Sequence, residues 1–268
     1  MEEITSRSNP RIQRLVQLRK PEVRRHRGQF SIEGRRESLR ALQNRVEILE
    51  IYAAAEARKH LGPLALAAPV VGVSDAVFAK ISARENPDGI LCVAKIPTVC
   101  LPEKLPENSL IVVAEGLEKP GNLGGILRSM EAAGCSLLIL AESQIDPWNS
   151  NAIRASQGAI FSIPIVSCSG EEALRYLRGK GVTVVATTPA AEKSHWEAPL
   201  FGSLAVVAGN EHGGLSDFWL ANADLKIRIP MFGGTSDSLN VGIATALVLY
   251  EIRRRDYSAA KNSSVPGP

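Results

Sequence analysis

Three segments of this 268-residue chain concentrate the residue types that do chemistry. The first is Glu115-Gly-Leu-Glu-Lys-Pro-Gly-Asn122-Leu-Gly124-Gly-Ile-Leu-Arg128. Pro120 and Gly121 make a turn, and Asn122 can cap a helix. Gly124 and Gly125 permit close backbone approach at a helix N-terminus, an arrangement that suits an anion. Arg128 follows six residues after Asn122, which places it on another face of that helix. The second segment is Gly209-Asn210-Glu211-His212-Gly213-Gly214. Here three glycines flank one carboxylate, and backbone N–H and C=O groups can reach a ligand that a Cβ would exclude. The third runs Ile229-Pro230-Met231-Phe232-Gly233-Gly234-Thr235-Ser236-Asp237-Ser238-Leu239-Asn240-Val241. It is a glycine-rich loop leading into a long helix with Leu239, Ile243, Leu247 and Tyr250 on one apolar face. Asp237 or Ser238 would cap that helix. Asn240 inside its first turn is a poor helix former, which hints at another role. Each segment also has a plainer reading: a capped helix with a solvated Arg128, a tight turn, and a capped apolar helix.

Several chemistries lack their signatures. No G-x-G-x-x-G follows the strand at Leu110–Ala114, there is no G-x-x-x-x-G-K-[ST], and there is no G-x-S-x-G. A dinucleotide-binding dehydrogenase, a P-loop NTPase and an elbow-type hydrolase are therefore disfavoured. The cysteines Cys92, Cys100, Cys135 and Cys168 form no Cys-x-x-Cys, and each sits in or beside an apolar segment. The histidines His26, His60, His195 and His212 have no ligand spacing. Buried thiols in a reducing cytoplasm are expected, with neither metal nor disulfides.

The loops need a scaffold, and the pattern around them supplies one. In the first part, a helix capped by Asn9 or Ser8 is expected to run to Lys20, with Ile12, Leu15, Val16 and Leu18 as its apolar face. Arg24-Arg25-His26-Arg27-Gly28 reads as too charged for a core element. A short strand at Phe30–Ile32, a helix over Arg35–Gln43, and strands at Val46–Tyr52, Val70–Val73 and Ile90–Ala94 follow. Helical stretches at Ala53–His60 and Asp75–Ile81 lie between them. Pro97, Pro102 and Pro106 then mark a boundary. This divides the chain into a small α/β domain, 1–105, and a second domain, 106–268. The second domain alternates strands (Leu110–Ala114, Ser136–Leu140, Ile163–Val166, Val182–Ala186, Leu204–Ala208, Leu225–Ile229) with helices (Asn122–Ala133, Asn149–Gln157, Glu171–Arg178, Leu215–Ala221, Ser238–Arg255). Such alternation argues for a parallel sheet covered on both faces. In such sheets ligands bind at the carboxyl ends of strands, where the polar loops fall.

Composition is that of a globular protein, with 45% hydrophobic and 22% charged residues, which excludes disordered, collagen-like and coiled-coil chains. No apolar run is long enough to span a membrane, and the start Met1-Glu2-Glu3 lacks a signal peptide's basic and apolar regions. A cytoplasmic protein is expected. The net charge of +3 is uneven: residues 1–40 hold 11 Lys and Arg against 5 Asp and Glu, and the other 228 hold 20 against 23. A basic front favours a polyanionic partner, with a solvated helix face as the competing explanation. Arg24, Arg25, Arg27, Arg35 and Arg36 are the candidates for contact with that polyanion.

Asn122-x-Gly124-x-x-x-Arg128, Gly209-x-Glu211-x-x-Gly214 and Ile229-Pro-Met-…-Ser238-Leu-Asn240-Val241 together resemble the three ordered motifs of the SpoU (TrmH) branch of the SPOUT RNA methyltransferases. Arg154-Ala-Ser156-Gln-Gly158 between them is also similar to the family. Residues 1–95 resemble the amino-terminal RNA-binding domain of the rRNA-directed members, through Ser8-Asn9-Pro10-x-Ile12, Gly28-x-Phe30-x-x-Glu33-Gly34 and Glu85-Asn86-Pro87-x-Gly89. One departure is a loop one residue longer than usual, five steps from Gly233 to Ser238.

The resemblance implies a parallel-sheet SPOUT domain with a carboxy-terminal trefoil knot, acting as a homodimer with the active site near the subunit interface. It implies S-adenosylmethionine as cofactor, held by Thr187, Gly209, Asn210, Glu211, Gly214, Ile229, Met231, Ser238, Leu239 and Asn240. The implied reaction is 2′-O-methylation of a ribose in RNA, with large-subunit rRNA as the expected substrate. A tRNA enzyme, or a non-catalytic RNA-binding or assembly protein, are the alternatives. Arg128 is the implied catalytic residue, with Glu211, Asn122, Ser238 and Asn240 in support. A guanidinium is a reluctant base, so the preferred role for Arg128 is to bind the phosphate beside the target ribose and steady the developing alkoxide. Glu211 could orient Arg128 or the ribose.

Overall fold

The computed structural model describes residues 3–210, 213–233 and 238–263. It divides into two compact units, one of residues 1–98 and 146–162 and one of 99–145 and 163–268.

In the first unit, Asn9 caps α1 (Pro10–Gln17), its side chain accepting from the Arg11 N–H. The helix is shorter than the apolar pattern predicts because Pro21 begins a second helix, α2 (Pro21–Arg27), ended by Gly28 at φ +61°. That helix occupies the basic run expected to stay out of the core. Around it lies a mixed sheet of β1 (Glu3–Ile4), β2 (Gln29–Glu33), β3 (Ile48–Ala54), β4 (Val70–Val73) and β5 (Ile90–Lys95), in the order β1-β4-β3-β5-β2. α3 (Arg35–Gln43) and α4 (Asp75–Ile81) belong to the same unit. The helix expected from Ala53 is replaced by strand through Ala54, paired with Val73, and a 3₁₀ turn at Ala57–His60. Pairing with a neighbouring strand overrides alanine's helical preference.

Residues 146–162, beyond the boundary at 105, belong with this unit, and the contacts explain why. Trp148 and Phe161 pack on Phe30, with ring centroids 4.9 and 6.3 Å apart. Asp146 accepts from Arg24 at 2.6 and 2.8 Å. Gly158, at φ +88°, lies against Arg40, where a Cβ would meet Cδ at 2.8 Å. The domain division is therefore not a single cut in sequence, and α6 (Ser150–Ala155) packs on β2.

The second unit is built on a six-stranded, all-parallel sheet in the order β11-β9-β10-β6-β7-β8. Its strands are β6 (Leu110–Glu115), β7 (Leu137–Ala141), β8 (Ile165–Cys168), β9 (Thr183–Thr187), β10 (Leu204–Ala208) and β11 (Leu225–Ile227). Ile111 and Val113 join a core with Leu174 and Leu177 of α7 (Gly170–Gly179) and Trp219 of α8 (Asp217–Asn222). Val112 and Val206, on the alternate face, are equally buried. Burial on both faces is why these strands are continuous apolar runs. α5 (Pro120–Ala132) packs on α9 (Val241–Ser263), which also contacts β10.

On α9 the apolar face named from the sequence is not the one that is buried. Val248, Leu249 and Ile252 are buried, whereas Ile243, Leu247 and Tyr250 are 54, 43 and 53% exposed. Periodicity identifies two apolar stripes on this helix but cannot say which one meets the sheet. No helix among the described residues is long and apolar enough to cross a membrane. Cys92 is buried and Cys135 and Cys168 are partly so, but Cys100 is exposed, against expectation. Burial pushes the thiols of Cys92 and Cys135 up to about 11 and about 12.

Candidate active site

The carboxyl ends of β9 and β10 open into a cavity of about 650 Å³. Thr187 ends β9, and Gly209 and Asn210 follow β10. Ile229 and Met231 come from the segment after β11, and Ser238, Leu239 and Asn240 from the segment before α9. All eight line the cavity, as does Gly214. Thus nine of the ten residues expected to hold the cofactor share one space. The tenth, Glu211, lies outside the described residues, as do His212 and the loop extension from Gly234 to Asp237.

The glycine loop is tied to itself. Asn210 and Gly214 exchange backbone hydrogen bonds of 3.1 and 3.2 Å, and the Asn210 Oδ1 accepts from the Gly213 N–H at 2.6 Å. A Cβ on Gly209 would lie 2.2 Å from the Gly214 carbonyl carbon, so any side chain there must force the turn open. Gly209→Ala is expected to weaken cofactor binding at least about tenfold, since backbone groups would move out of ligand geometry. Calorimetric titration with S-adenosylmethionine checks this, and unchanged affinity would remove the turn from the site.

Asn122 and Asn240 meet, though 118 residues apart: the Asn240 Nδ2 donates to the Asn122 Oδ1 at 2.9 Å. Asn122 does not cap α5. Pro120 takes the first helical position and Asn122 sits in the first turn. Asn240 itself caps α9, its Oδ1 accepting from the Gly242 and Ile243 N–H groups at 2.9 and 3.3 Å. That role explains a poor helix former at the helix start, and it leaves the amide fixed with its nitrogen toward Asn122. The two motifs thereby join the starts of α5 and α9 at the cavity wall.

Arg128 is placed elsewhere. It is exposed on α5, opposite the buried Leu123, Leu127 and Met130, and does not line the cavity. Lys119 and Thr188 do line it and escaped the sequence reading. Lys119 immediately precedes Pro120 at the start of α5, which is the signal that could have found it.

Residues 109–250 match the model of the SpoU rRNA Methylase family. The chain belongs to that family. Residues 9–92 match the MRM3-like substrate binding domain. The SpoU chain is 28% identical to the 23S rRNA (guanosine(2553)-2'-O)-methyltransferase RlmP of Bacillus subtilis, over 94% of this chain and all of the relative. A solved RNA 2'-O ribose methyltransferase is 40% identical with a TM-score of 0.83, covering 95% of this chain and 99% of that one. An AdoMet-bound rRNA methyltransferase from Sinorhizobium meliloti is 30% identical with a TM-score of 0.87, covering 95 and 98%.

For a SpoU protein the cofactor is S-adenosylmethionine, and the cavity fits it. The Thr187 Oγ1 is buried at the cavity wall with no hydrogen-bond partner among the described residues, an uncommon state for a polar atom and one that a ligand would relieve. The glycine turn offers backbone groups where a side chain has no room.

The basic candidates of the amino-terminal unit divide. Arg24 is a correction: it is 2% exposed, bound to Asp146 and to the carbonyls of Leu18 and Arg19, and so cannot touch RNA. Arg25 and Arg27 are exposed. Arg35 and Arg36 are exposed but engaged, Arg35 donating to the His60 carbonyl at 2.7 Å and Arg36 pairing with Glu37 at 2.8 Å.

Proposed function

We propose that this SpoU protein transfers a methyl group from S-adenosylmethionine to a ribose 2′-hydroxyl of RNA, with 23S rRNA as the substrate. The observation that carries the proposal is the convergence of three distant motifs on one cavity, with a Thr187 hydroxyl in its wall that has no partner among the described residues. The full-length likeness to RlmP and the match to a substrate-binding domain support rRNA.

The chemistry that S-adenosylmethionine supplies when bound is an electrophilic methyl group on a sulfonium. Gly209, Asn210, Gly214, Ile229, Met231 and Leu239 would hold it through backbone and apolar contact, with Thr187 as a hydroxyl partner. In-line displacement depends on orientation, so rigid walls contribute directly to rate. The Asn122–Asn240 bond and the Ser238 segment keep the starts of α5 and α9 in register beside the reacting groups. The ribose hydroxyl must lose its proton as it attacks. Arg128 binds the adjacent phosphate and steadies negative charge on that oxygen, and Glu211 orients Arg128 or the ribose.

Arg128 stands outside its own chain's cavity, which is consistent with an active site completed at a subunit interface. The exposed stripe Ile243, Leu247 and Tyr250 on α9, the helix packed on α5, supports a homodimer through the carboxy-terminal unit. The carboxy-terminal knot belongs to the same reading. Sedimentation of the full chain is expected to give twice the monomer mass, and a monomer at micromolar concentration would refute the dimer.

Two measurements test the function. Calorimetry is expected to show binding of S-adenosylmethionine and none of NAD; binding of NAD alone would end the proposal. Mapping of 2′-O-methylation in rRNA and tRNA, with and without the gene, is expected to lose one large-subunit rRNA site. Loss of a tRNA site instead would assign the tRNA substrate, and RNA binding without any methylation would assign an assembly protein.

A further inference from the structure

Two aromatic side chains of the second unit are left in solvent beside the cofactor cavity. Trp196 is 54% exposed and Phe232 86%. Their rings lie together, with centroids 6.2 Å apart and planes inclined by 20°. Each is joined to the cavity wall by a short stretch of chain. Phe232 follows Met231, and Trp196 lies in the segment that leaves the wall at Thr187, Thr188 and Pro189. Single exposed apolar side chains are ordinary, but two large rings placed together mark a contact site.

The surrounding backbone holds the rings in position. Arg228 donates its N–H to the Lys193 carbonyl, and His195 donates its N–H to the Arg228 carbonyl, each at 2.9 Å. That bridge ties the Trp196 segment to the segment that carries Phe232. Glu197 closes a turn by accepting from the Ser194 N–H and hydroxyl at 2.9 and 2.7 Å. From α9, Arg255 donates to the carbonyls of His195, Trp196 and Ala198, and is itself held by Glu251 at 2.7 Å. The buried His195 ring backs the indole, with centroids 4.9 Å apart. A surface preorganised in this way has little conformational freedom to lose on binding. Phe201 is exposed as well, but Arg255 lies over its ring at 5.8 Å.

Cations flank the rings. Lys193 and Arg228 are exposed and make no side-chain hydrogen bond or ion pair with any described residue. The bonds from Ser194, and after them the charges of Arg228 and Lys193, hold the Glu197 carboxyl below the usual carboxylate range. Both cations therefore stand beside the Trp196 turn, while the carboxylate there is engaged by Ser194.

We propose that Trp196 and Phe232 form a stacking surface for an unpaired base of the RNA strand whose ribose enters the cavity. The proposal rests on the reading of RNA as substrate and adds what aligns the strand at the reacting end. A π face accepts any base without reading its edge, so this contact orients the strand and leaves sequence choice to other parts. A base within a duplex has no free face to offer, whereas one splayed from a loop or bulge does. A second copy of this chain is the rival occupant. The aliphatic residues of the α9 stripe suit it better, because a two-fold contact centred on the rings would set Lys193 and Arg228 against the same residues of the other copy.

The test uses the full chain, S-adenosylmethionine and 23S rRNA from cells lacking the gene, in steady-state methyl transfer. Trp196→Ala and Phe232→Ala are each expected to raise KM for RNA about tenfold, the scale of one lost base–aromatic contact. Trp196→Phe should stay near the parent. Trp196→Leu, apolar but without a π face, should resemble Trp196→Ala. The slope of log KM against log salt should not change, because no phosphate contact is removed. Sedimentation and S-adenosylmethionine affinity should match the parent in every variant. Phe232→Ala removes almost no packing, so it decides the matter if Trp196→Ala melts early. Parent-like KM in Phe232→Ala overturns the proposal, as does parent-like KM in Trp196→Leu. Loss of the sedimenting dimer in either alanine variant would assign the rings to a second copy, and weakened S-adenosylmethionine binding would assign them to the cofactor; both overturn it. In those cases methylation by the parent chain still stands. If the parent methylates no RNA, the reading of function itself fails.

Discussion

Arg128→Ala is expected to slow single-turnover methyl transfer to RNA by about 100-fold or more, while the melting temperature and S-adenosylmethionine affinity stay near the parent values. The structural half of this expectation follows from where the residue sits. Arg128 is exposed on α5 and lies outside the cavity, so truncation removes neither core packing nor a wall of the cofactor site. Alanine also suits a helix interior, and surface changes of this kind usually stay within about 0.5 kcal/mol. The catalytic half rests on the role proposed for the guanidinium, which acts on charge that develops only as the ribose oxygen attacks. A contact realised in the transition state affects rate far more than binding. Arg128→Lys should rescue poorly, because an ammonium cannot reproduce the planar fork on a phosphate. Parent-like rates in Arg128→Ala would remove the residue from the mechanism. A collapsed melting temperature would show that the arginine anchors the helix instead.

Arg24→Ala should destabilise the amino-terminal unit by about 3–5 kcal/mol, the usual cost of removing one partner of a buried ion pair. The Arg24 side chain is 2% exposed and makes two bonds to Asp146 as well as bonds to the carbonyls of Leu18 and Arg19. Its loss leaves the Asp146 carboxylate, itself only 19% exposed, without its cation. Two carbonyl groups lose a donor as well. Asp146 also holds the turn that presents Trp148, through the Trp148 N–H at 2.9 Å, so the damage should spread to the packing on Phe30. Arg25→Ala, one residue further along the same helix and exposed, should change stability by less than about 0.5 kcal/mol. Urea unfolding of the full chain followed by intrinsic fluorescence measures both. Equal midpoints for the two variants would contradict the buried-pair argument. The same contacts predict that truncation at residue 105 is not a clean domain removal, since it strips Phe30 and Arg24 from residues that remain.

Much of the catalytic unit was legible in the chain itself. Strands buried on both faces must be continuous apolar runs, so β6, β7 and β10 stand out, and β10 is predicted to the residue. The loops that bear the cavity-lining residues were legible for a related reason, whereas the individual cofactor residues were implied by the resemblance to the SpoU family. In a parallel sheet the carboxyl ends of strands collect the ligand loops, and glycine turns and stray polar residues mark them there. The three ordered motifs then carry the resemblance to the SpoU family.

What the chain could not announce are choices made by contact across long separations. Arg24 and Arg25 have the same side chain one residue apart, yet one is buried on Asp146, 122 residues away, and the other is solvated. Local charge cannot distinguish them, because burial of an arginine depends on whether a distant carboxylate arrives to compensate desolvation. Residues 146–162 join the first unit because Trp148 and Phe161 find Phe30, a partner that no composition shift reveals. Asn240 reads as a misplaced residue until its amide is seen to cap α9 and reach Asn122 at once. The two apolar stripes of α9 are equivalent by periodicity, and only the sheet and α5 decide that Val248, Leu249 and Ile252 turn inward. Periodicity and loop chemistry are local and so are written in the sequence. Pairing between distant side chains is a property of the folded surface, where one partner's burial is stable only because the other is there.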